Sequence, residues 1–244
     1  MKFGTCNEYF QDWPLEQVFD YAAAIGYDGV EIAPFTIAPS VEEIGTGRRR
    51  EIRDAAAASG VEIIGLHWLL LSPEGLYINH PDEAIRGRTH DYVRSLIHFC
   101  GALGGQVMVI GSPKQRNVQE GWNFDDCWKR ARDSFAGCAE LAAERDVVIN
   151  FEPLAPSETN FVNTHTEAIK FTKQFDHPNF KIILDTKAMC SMGQPIPEII
   201  RESKGEFAYY HANDENLKGP GFGEVDFVPI GEALREVGLS LIHI

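Results

Sequence analysis

Apolar and polar positions alternate along this chain in blocks. Short runs of strand-forming residues recur at 2–6 (KFGTC), 29–33 (GVEIA), 61–68 (VEIIGLHW), 106–112 (QVMVIGS), 147–152 (VVINFE), 180–186 (FKIILDT), 207–214 (FAYYHAND) and 239–244 (LSLIHI). Between them lie longer stretches with apolar residues at helical spacing. LEQVFDYAAAIG (15–26) stops at a glycine suited to the position just past a helix end. DDCWKRARDSFAGCAELAAERD (125–146) has an acidic start and reads as one longer helix. THTEAIKFTKQF (164–175) opens with Thr164 and places Glu167 three residues on, a capping-box pattern.

Strand–helix alternation predicts a parallel sheet covered by helices. Eight strand runs favour a closed (β/α)8 TIM barrel spanning 1–244 as one domain. An open doubly wound sheet would carry a glycine-rich phosphate fingerprint after its first strand, and GTCNEYF (4–10) has none. No helical stretch follows the last run. The expectation is therefore a barrel truncated at strand 8 with the last helix missing, or one carrying a foreign end.

Composition narrows the partners. The chain has 244 residues, 44% of them hydrophobic, enough to bury a substantial core. A formal net charge of −14 argues against a nucleic-acid partner, which demands a basic face. The basic cluster GRRREIR (47–53) falls in an amphipathic helical stretch and reads as a solvated face. Five cysteines are scattered, with no CxxC spacing, which predicts free thiols in a reducing cytoplasm. The first residues lack the basic and apolar regions of a signal peptide, and no apolar run approaches a membrane span. The expected setting is cytoplasmic, with no membrane partner; a homo-oligomer is left open.

In such a barrel the chemistry belongs at the C-terminal ends of the strands. Strand five ends in Glu152, six in Asp185, seven in His211 and three in His67. Period-two alternation puts Asp185 on the face of Ile183 and His211 on the face of Tyr209, so each can point into the mouth. A lone strand-end acid is more often an ion-pair member than a ligand. Two carboxylates and an imidazole from successive strands instead form an O/O/N set suited to one divalent metal ion such as Mn²⁺, Mg²⁺ or Co²⁺. A bound cation would offset the cost of burying the acids.

At this point the residues become recognisable. NFEPLAPSETNFVNT (150–164), ILDTKAM (183–189) and YYHANDENLKGPGFGEVDF (209–227), with GYDGVEIA (26–33) and GLHWLL (65–70), resemble the xylose isomerase-like TIM barrel superfamily. That group includes sugar phosphate isomerases and epimerases, ketose 3-epimerases, inosose dehydratase and endonuclease IV. The resemblance to the ketose 3-epimerase branch implies Glu152, Asp185 and His211 as metal ligands, with Glu152 also the catalytic base. It implies Glu158 and His67 as substrate-binding residues. The activity it implies is metal-dependent isomerisation or epimerisation of a sugar, sugar phosphate or related hydroxy-ketone. The reaction is proton transfer next to a carbonyl, through an enediolate.

Departures accompany the match. The branch carries a histidine where this chain has Ala188, and an arginine where the stretch reads ENLKGP, with Lys218 nearby. Its fourth ligand, a strand-eight glutamate, would fall just beyond Ile244, so this 244-residue form is expected to be weak or inactive. His243 reads as a core or terminal residue rather than a substitute ligand. An inosose-type dehydratase and a degenerate sugar-binding barrel remain rivals. Endonuclease chemistry is disfavoured by the charge and by Gly111, Ala188 and Val228 at places where histidines would be needed.

Smaller features stay open at this stage. Glu31 lines the mouth or pairs with a buried cation. Trp68 stacks on a sugar face or simply packs. Lys114 and Arg116 of GSPKQR (111–116) hold a phosphate or sit in a solvated loop. GPGFGEVDF (219–227) reads as a substrate-covering loop, because it lacks the ending of a P-loop.

Overall fold

The apolar runs become the staves of a barrel. The computed structural model describes residues 1–239 in full and 241–243 by their backbone. Its parallel strands are β1 (Lys2–Cys6), β2 (Gly29–Ile32), β3 (Glu62–Leu66), β4 (Val107–Ile110), β5 (Val148–Phe151), β6 (Phe180–Asp185), β7 (Phe207–His211) and β8 (Leu241–His243). They follow one another in sequence order around a closed barrel. β8 pairs with β7 (His211 opposite His243) and with β1 (Gly4 opposite His243). Among the described residues, closure leaves no unpaired sheet edge. From β2 to β7 each strand stops short of its apolar run, because the last residues of the run already turn into the loops at the mouth.

The covering helices are α1 (Leu15–Ile25), α2 (Thr46–Ser59), α3 (Glu83–Leu103), α4 (Phe124–Asp133), α5 (Cys138–Ala143), α6 (His165–Thr172), α7 (Thr186–Cys190), α8 (Ile196–Glu202) and α9 (Phe227–Val237). Among the described residues, this helical layer runs from α1 to α9 around the closed barrel. Ser240 and Ile244 of the terminal run, and the side chain of His243, lie outside the described residues.

Local signals explain most boundaries. α1 stops where Gly26 adopts φ 94°, a left-handed conformation open to glycine at little cost. The Thr164 hydroxyl accepts the Glu167 N–H at 3.2 Å, and the Glu167 carboxylate accepts the Thr164 N–H at 3.2 Å. The capping box is complete. The expected long helix over 125–146 is instead broken in two. Gly137 sits at φ 69° between α4 and α5, a turn that costs glycine nothing sterically and ends the helical run.

Two apolar cores result. The larger one lies between sheet and helices and includes packed rings of Phe135, Phe151, Phe171 and Phe180. The smaller one fills the barrel itself, with Ile64, Val107, Val109, Ile183 and Tyr209. The basic cluster on α2 is only partly solvated. Arg49 donates to the carbonyls of Ile44 (2.7 Å) and Val41 (3.0 Å) and lies over the Phe99 ring, while Arg50 and Arg53 are exposed. All five cysteines are free thiols, four of them buried. Among the described residues, no helix is long and apolar enough to cross a membrane.

Candidate functional site

Above the small inner core, the same strands end in polar side chains. Glu152 follows β5 directly and is tied to the β4 side of the barrel. Its N–H donates to the Ile110 carbonyl at 3.1 Å, and its own carbonyl accepts Nη1 of Arg116 at 2.7 Å. Arg116 is 1% exposed and lies 5.1 Å over the Phe151 ring, so it is neither a phosphate clamp nor part of a solvated loop. It braces the strand end that carries Glu152.

Asp185 is the last residue of β6 and the N-cap of α7. Its Oδ1 accepts the Ala188 N–H at 2.9 Å, and its Oδ2 accepts Nδ2 of Asn213 at 3.0 Å. A carboxylate offers about four lone-pair sites, so both oxygens keep acceptor capacity toward the barrel axis. His211 stands directly opposite Asp185 in the β6–β7 register. The Thr186 hydroxyl donates to the His211 carbonyl at 3.0 Å and fixes the strand end.

These three side chains converge. His211 Nδ1 lies 3.6 Å from Glu152 Oε1 and 3.7 Å from Asp185 Oδ2, and one donor atom from each residue falls within a common 4.8 Å. The separations exceed a direct hydrogen bond. All three residues are buried, at 4%, 6% and 5% exposure. Close by, the Glu31 Oε2 on β2 lies 3.5 Å from His211 Nε2 and 3.7 Å from His67 Nδ1.

The titration behaviour follows from this crowding. Burial pushes Asp185 up, and the neighbouring Glu152 carboxylate adds to it, to about 6. Burial alone would lower His211, but Glu152 and Glu31 outweigh it and raise the imidazole to about 10. Glu152 is also raised by burial, yet His211 holds it below its ordinary value. Three buried carboxyl groups thus surround one imidazole, a donor set dominated by hard oxygens. A hard divalent cation fits this donor set.

The cluster opens into a cavity of about 370 Å³, within the range of small-molecule sites. Glu158 and Lys187 line it as an ion pair, with Nζ and Oε1 2.7 Å apart. His67 lines it too, its ring stacked at 5.4 Å on Trp68. Trp68 holds φ 57°, a strained value for a bulky residue that the mouth keeps in place. From the ENLKGP stretch it is Leu217, not Lys218, that reaches the cavity.

Two glycines sit against carboxylates of the site. A Cβ at position 111 would overlap Glu152 Oε2, so any larger residue there would require this carboxylate to shift. A Cβ at position 223 would overlap the Asp214 carboxylate. Asp214 is buried and accepts the N–H groups of Glu215 (2.8 Å) and Val225 (3.1 Å), which anchors the glycine-rich segment after β7 rather than leaving it loose.

All five sequence-predicted site residues, Glu152, Asp185, His211, His67 and Glu158, thus meet at one cavity. Sequence reasoning missed Lys187, Asn213 and the bracing role of Arg116. Lys187 and Asn213 had a signal in their places, directly beside Asp185 and His211 in ILDTKAM and HAND.

The profile of the family described as xylose isomerase-like TIM barrel matches residues 19–244. The chain belongs to that family. A D-psicose 3-epimerase of Ruminiclostridium cellulolyticum is 27% identical over 251 residues, covering 98% of this chain and 81% of that protein. An L-ribulose 3-epimerase of Mesorhizobium japonicum is 25% identical over 226 residues, covering 93% and 73%. The crystal structure of D-psicose 3-epimerase with D-tagatose from Clostridium cellulolyticum H10 superposes with a TM-score of 0.85 at 24% identity, over 100% of this chain and 84% of that one. At that identity the structural likeness speaks for the fold.

Proposed function

We propose that this member of the family is a divalent-metal-dependent sugar epimerase that moves a proton at a carbon next to a carbonyl. The convergence of Glu152, Asp185 and His211 at the mouth carries the reading. Relatives that are 3-epimerases over nearly the whole chain support the sugar epimerase or isomerase class.

Glu152, Asp185 and His211 would hold the ion, with Mn²⁺, Mg²⁺ or Co²⁺ the species this set suits. A bound divalent cation supplies Lewis-acid polarisation of a substrate carbonyl. Glu152 is the general base, because its carboxylate lines the cavity and would be kept ionised by the cation beside it. Lys187, held by Glu158, offers an ammonium to a substrate oxygen, and Glu158 accepts from substrate hydroxyls. His67 and Trp68 line the same cavity with stacked rings.

Deuterium exchange tests the proposal without requiring net turnover. The Mn²⁺-loaded protein is incubated in D2O with a free ketose such as D-psicose. Deuterium should enter the carbon beside the carbonyl, and Glu152→Gln should abolish that uptake. Loss of water from the substrate would favour a dehydratase, and binding without exchange would favour a non-catalytic barrel. Either result overturns the epimerase reading.

A further inference from the structure

One buried carboxylate remains without a role. Glu31 is 0% exposed and does not line the cavity, yet its Oε2 approaches Nε2 of His211 at 3.5 Å. The two nitrogens of His211 face opposite ways: Nδ1 toward Glu152 and Asp185, Nε2 toward Glu31. The same Glu31 oxygen lies 3.7 Å from Nδ1 of His67, whose ring stands 4.8 Å from that of His211. The strand that carries Glu31 is β2, far from β7 in sequence but across the same barrel interior.

We propose that Glu31 is a positioning residue, which holds the proton of His211 on Nε2 and so turns the Nδ1 lone pair toward the cation. This inference rests on the metal reading above. An imidazole binds a metal only through a nitrogen that carries no proton. A carboxylate beside the other nitrogen fixes the tautomer, sets the plane of the ring and raises its basicity. Glu31 suits that task because solvent does not reach it. A carboxylate buried so completely destabilises the fold unless it serves a partner. His67 touches the same carboxylate from the cavity side, so Glu31 ties the ligand and a wall residue of the cavity to one anchor.

The same atoms could be read as a second cation site, because Glu31, His67 and His211 also place donor atoms within 4.8 Å of one another. Position argues for the positioning role. Glu31 does not line the cavity, and a cation there would compete for the nitrogen that the carboxylate already addresses.

The experiment loads the full chain with Zn²⁺, a diamagnetic probe, and records long-range proton–nitrogen correlations of ¹⁵N-labelled histidine. His211 should show metal on Nδ1 and a proton on Nε2. Metal on Nε2 would overturn the inference while leaving the metal site standing. No response of His211 to Zn²⁺ would overturn the metal reading itself. In parallel, Mn²⁺ affinity is titrated for Glu31→Gln and Glu31→Leu, with folding checked by circular dichroism. Loss of about 10–100-fold in the leucine variant, with a smaller loss in the glutamine variant, is expected. Unchanged affinity in folded Glu31→Leu, or a second ion per chain that disappears with Glu31, would overturn the proposal. If Glu31→Leu fails to fold, Glu31→Gln decides, and unchanged Mn²⁺ affinity in that folded variant would overturn the proposal.

Discussion

Two layers of the barrel interior sit one pleat apart and are built on opposite principles. Ile183 and Tyr209 belong to the inner apolar cluster, and two residues further along the same strands stand Asp185 and His211. The lower layer is aliphatic and aromatic, and each side chain in it contributes about 1.5–3 kcal/mol by burial. The upper layer buries Glu31, Glu152, Asp185 and His211 almost as completely. Taking such charges from water costs several kcal/mol per ion unless a partner compensates. The fold is stabilised by one layer and carries the other.

The sharpest way to break this comparison is Glu152→Gln. Exchange activity should fall about 10²- to 10⁴-fold, as for loss of a general base, while the urea midpoint of the metal-free protein holds or rises. A falling midpoint with activity retained would place Glu152 in the structural layer instead. Ile183→Ala should do the reverse. It should cost about 2–5 kcal/mol of stability by leaving a cavity, with Mn²⁺ affinity of the folded protein near that of the wild type.

Metal should tip the upper layer from cost to gain. Mn²⁺ at a hundredfold excess over its Kd should stabilise the chain by about 2.7 kcal/mol, measured by denaturant unfolding and reversed by a chelator. The same addition should leave Glu152→Gln nearly unmoved. Gly111→Ala tests the border between the layers, because its methyl takes space held by Glu152 Oε2. A loss of about 1–3 kcal/mol from overpacking is expected, with weaker Mn²⁺ binding in calorimetric titration. The smallest effect belongs to Thr164→Ala, outside both layers. Loss of the cap on α6 should cost about 1 kcal/mol, and Mn²⁺ affinity should be unaltered.

The sequence made part of the lower layer and three of the four upper residues legible, for a physical reason. Strand runs and period-two alternation are local, so Ile183 with Asp185 and Tyr209 with His211 could be assigned to one face without coordinates. The capping box of α6 was legible in the same way. What stayed hidden depends on contacts across the barrel. Glu31 meets His211 only because β2 and β7 face one interior. Arg116 looked like a loop cation because its burial over Phe151 and its bond to the Glu152 carbonyl are tertiary. Gly137 was passed over within a helical composition because nothing local showed that the chain must turn there. Gly111 stood out only as a place where endonuclease chemistry would need a histidine, because the Glu152 carboxylate beside it is a tertiary neighbour.

The central claim is that Glu152, Asp185 and His211 share one divalent cation, and equilibrium titration of the purified chain with Mn²⁺ tests it most directly. Asp185→Asn is the informative control, because asparagine also caps helices well and should preserve α7. The wild type should bind one ion per chain and Asp185→Asn should lose most of that affinity. A wild-type chain that binds neither Mn²⁺ nor Co²⁺, or an Asp185→Asn variant that binds as tightly as the wild type, would contradict it.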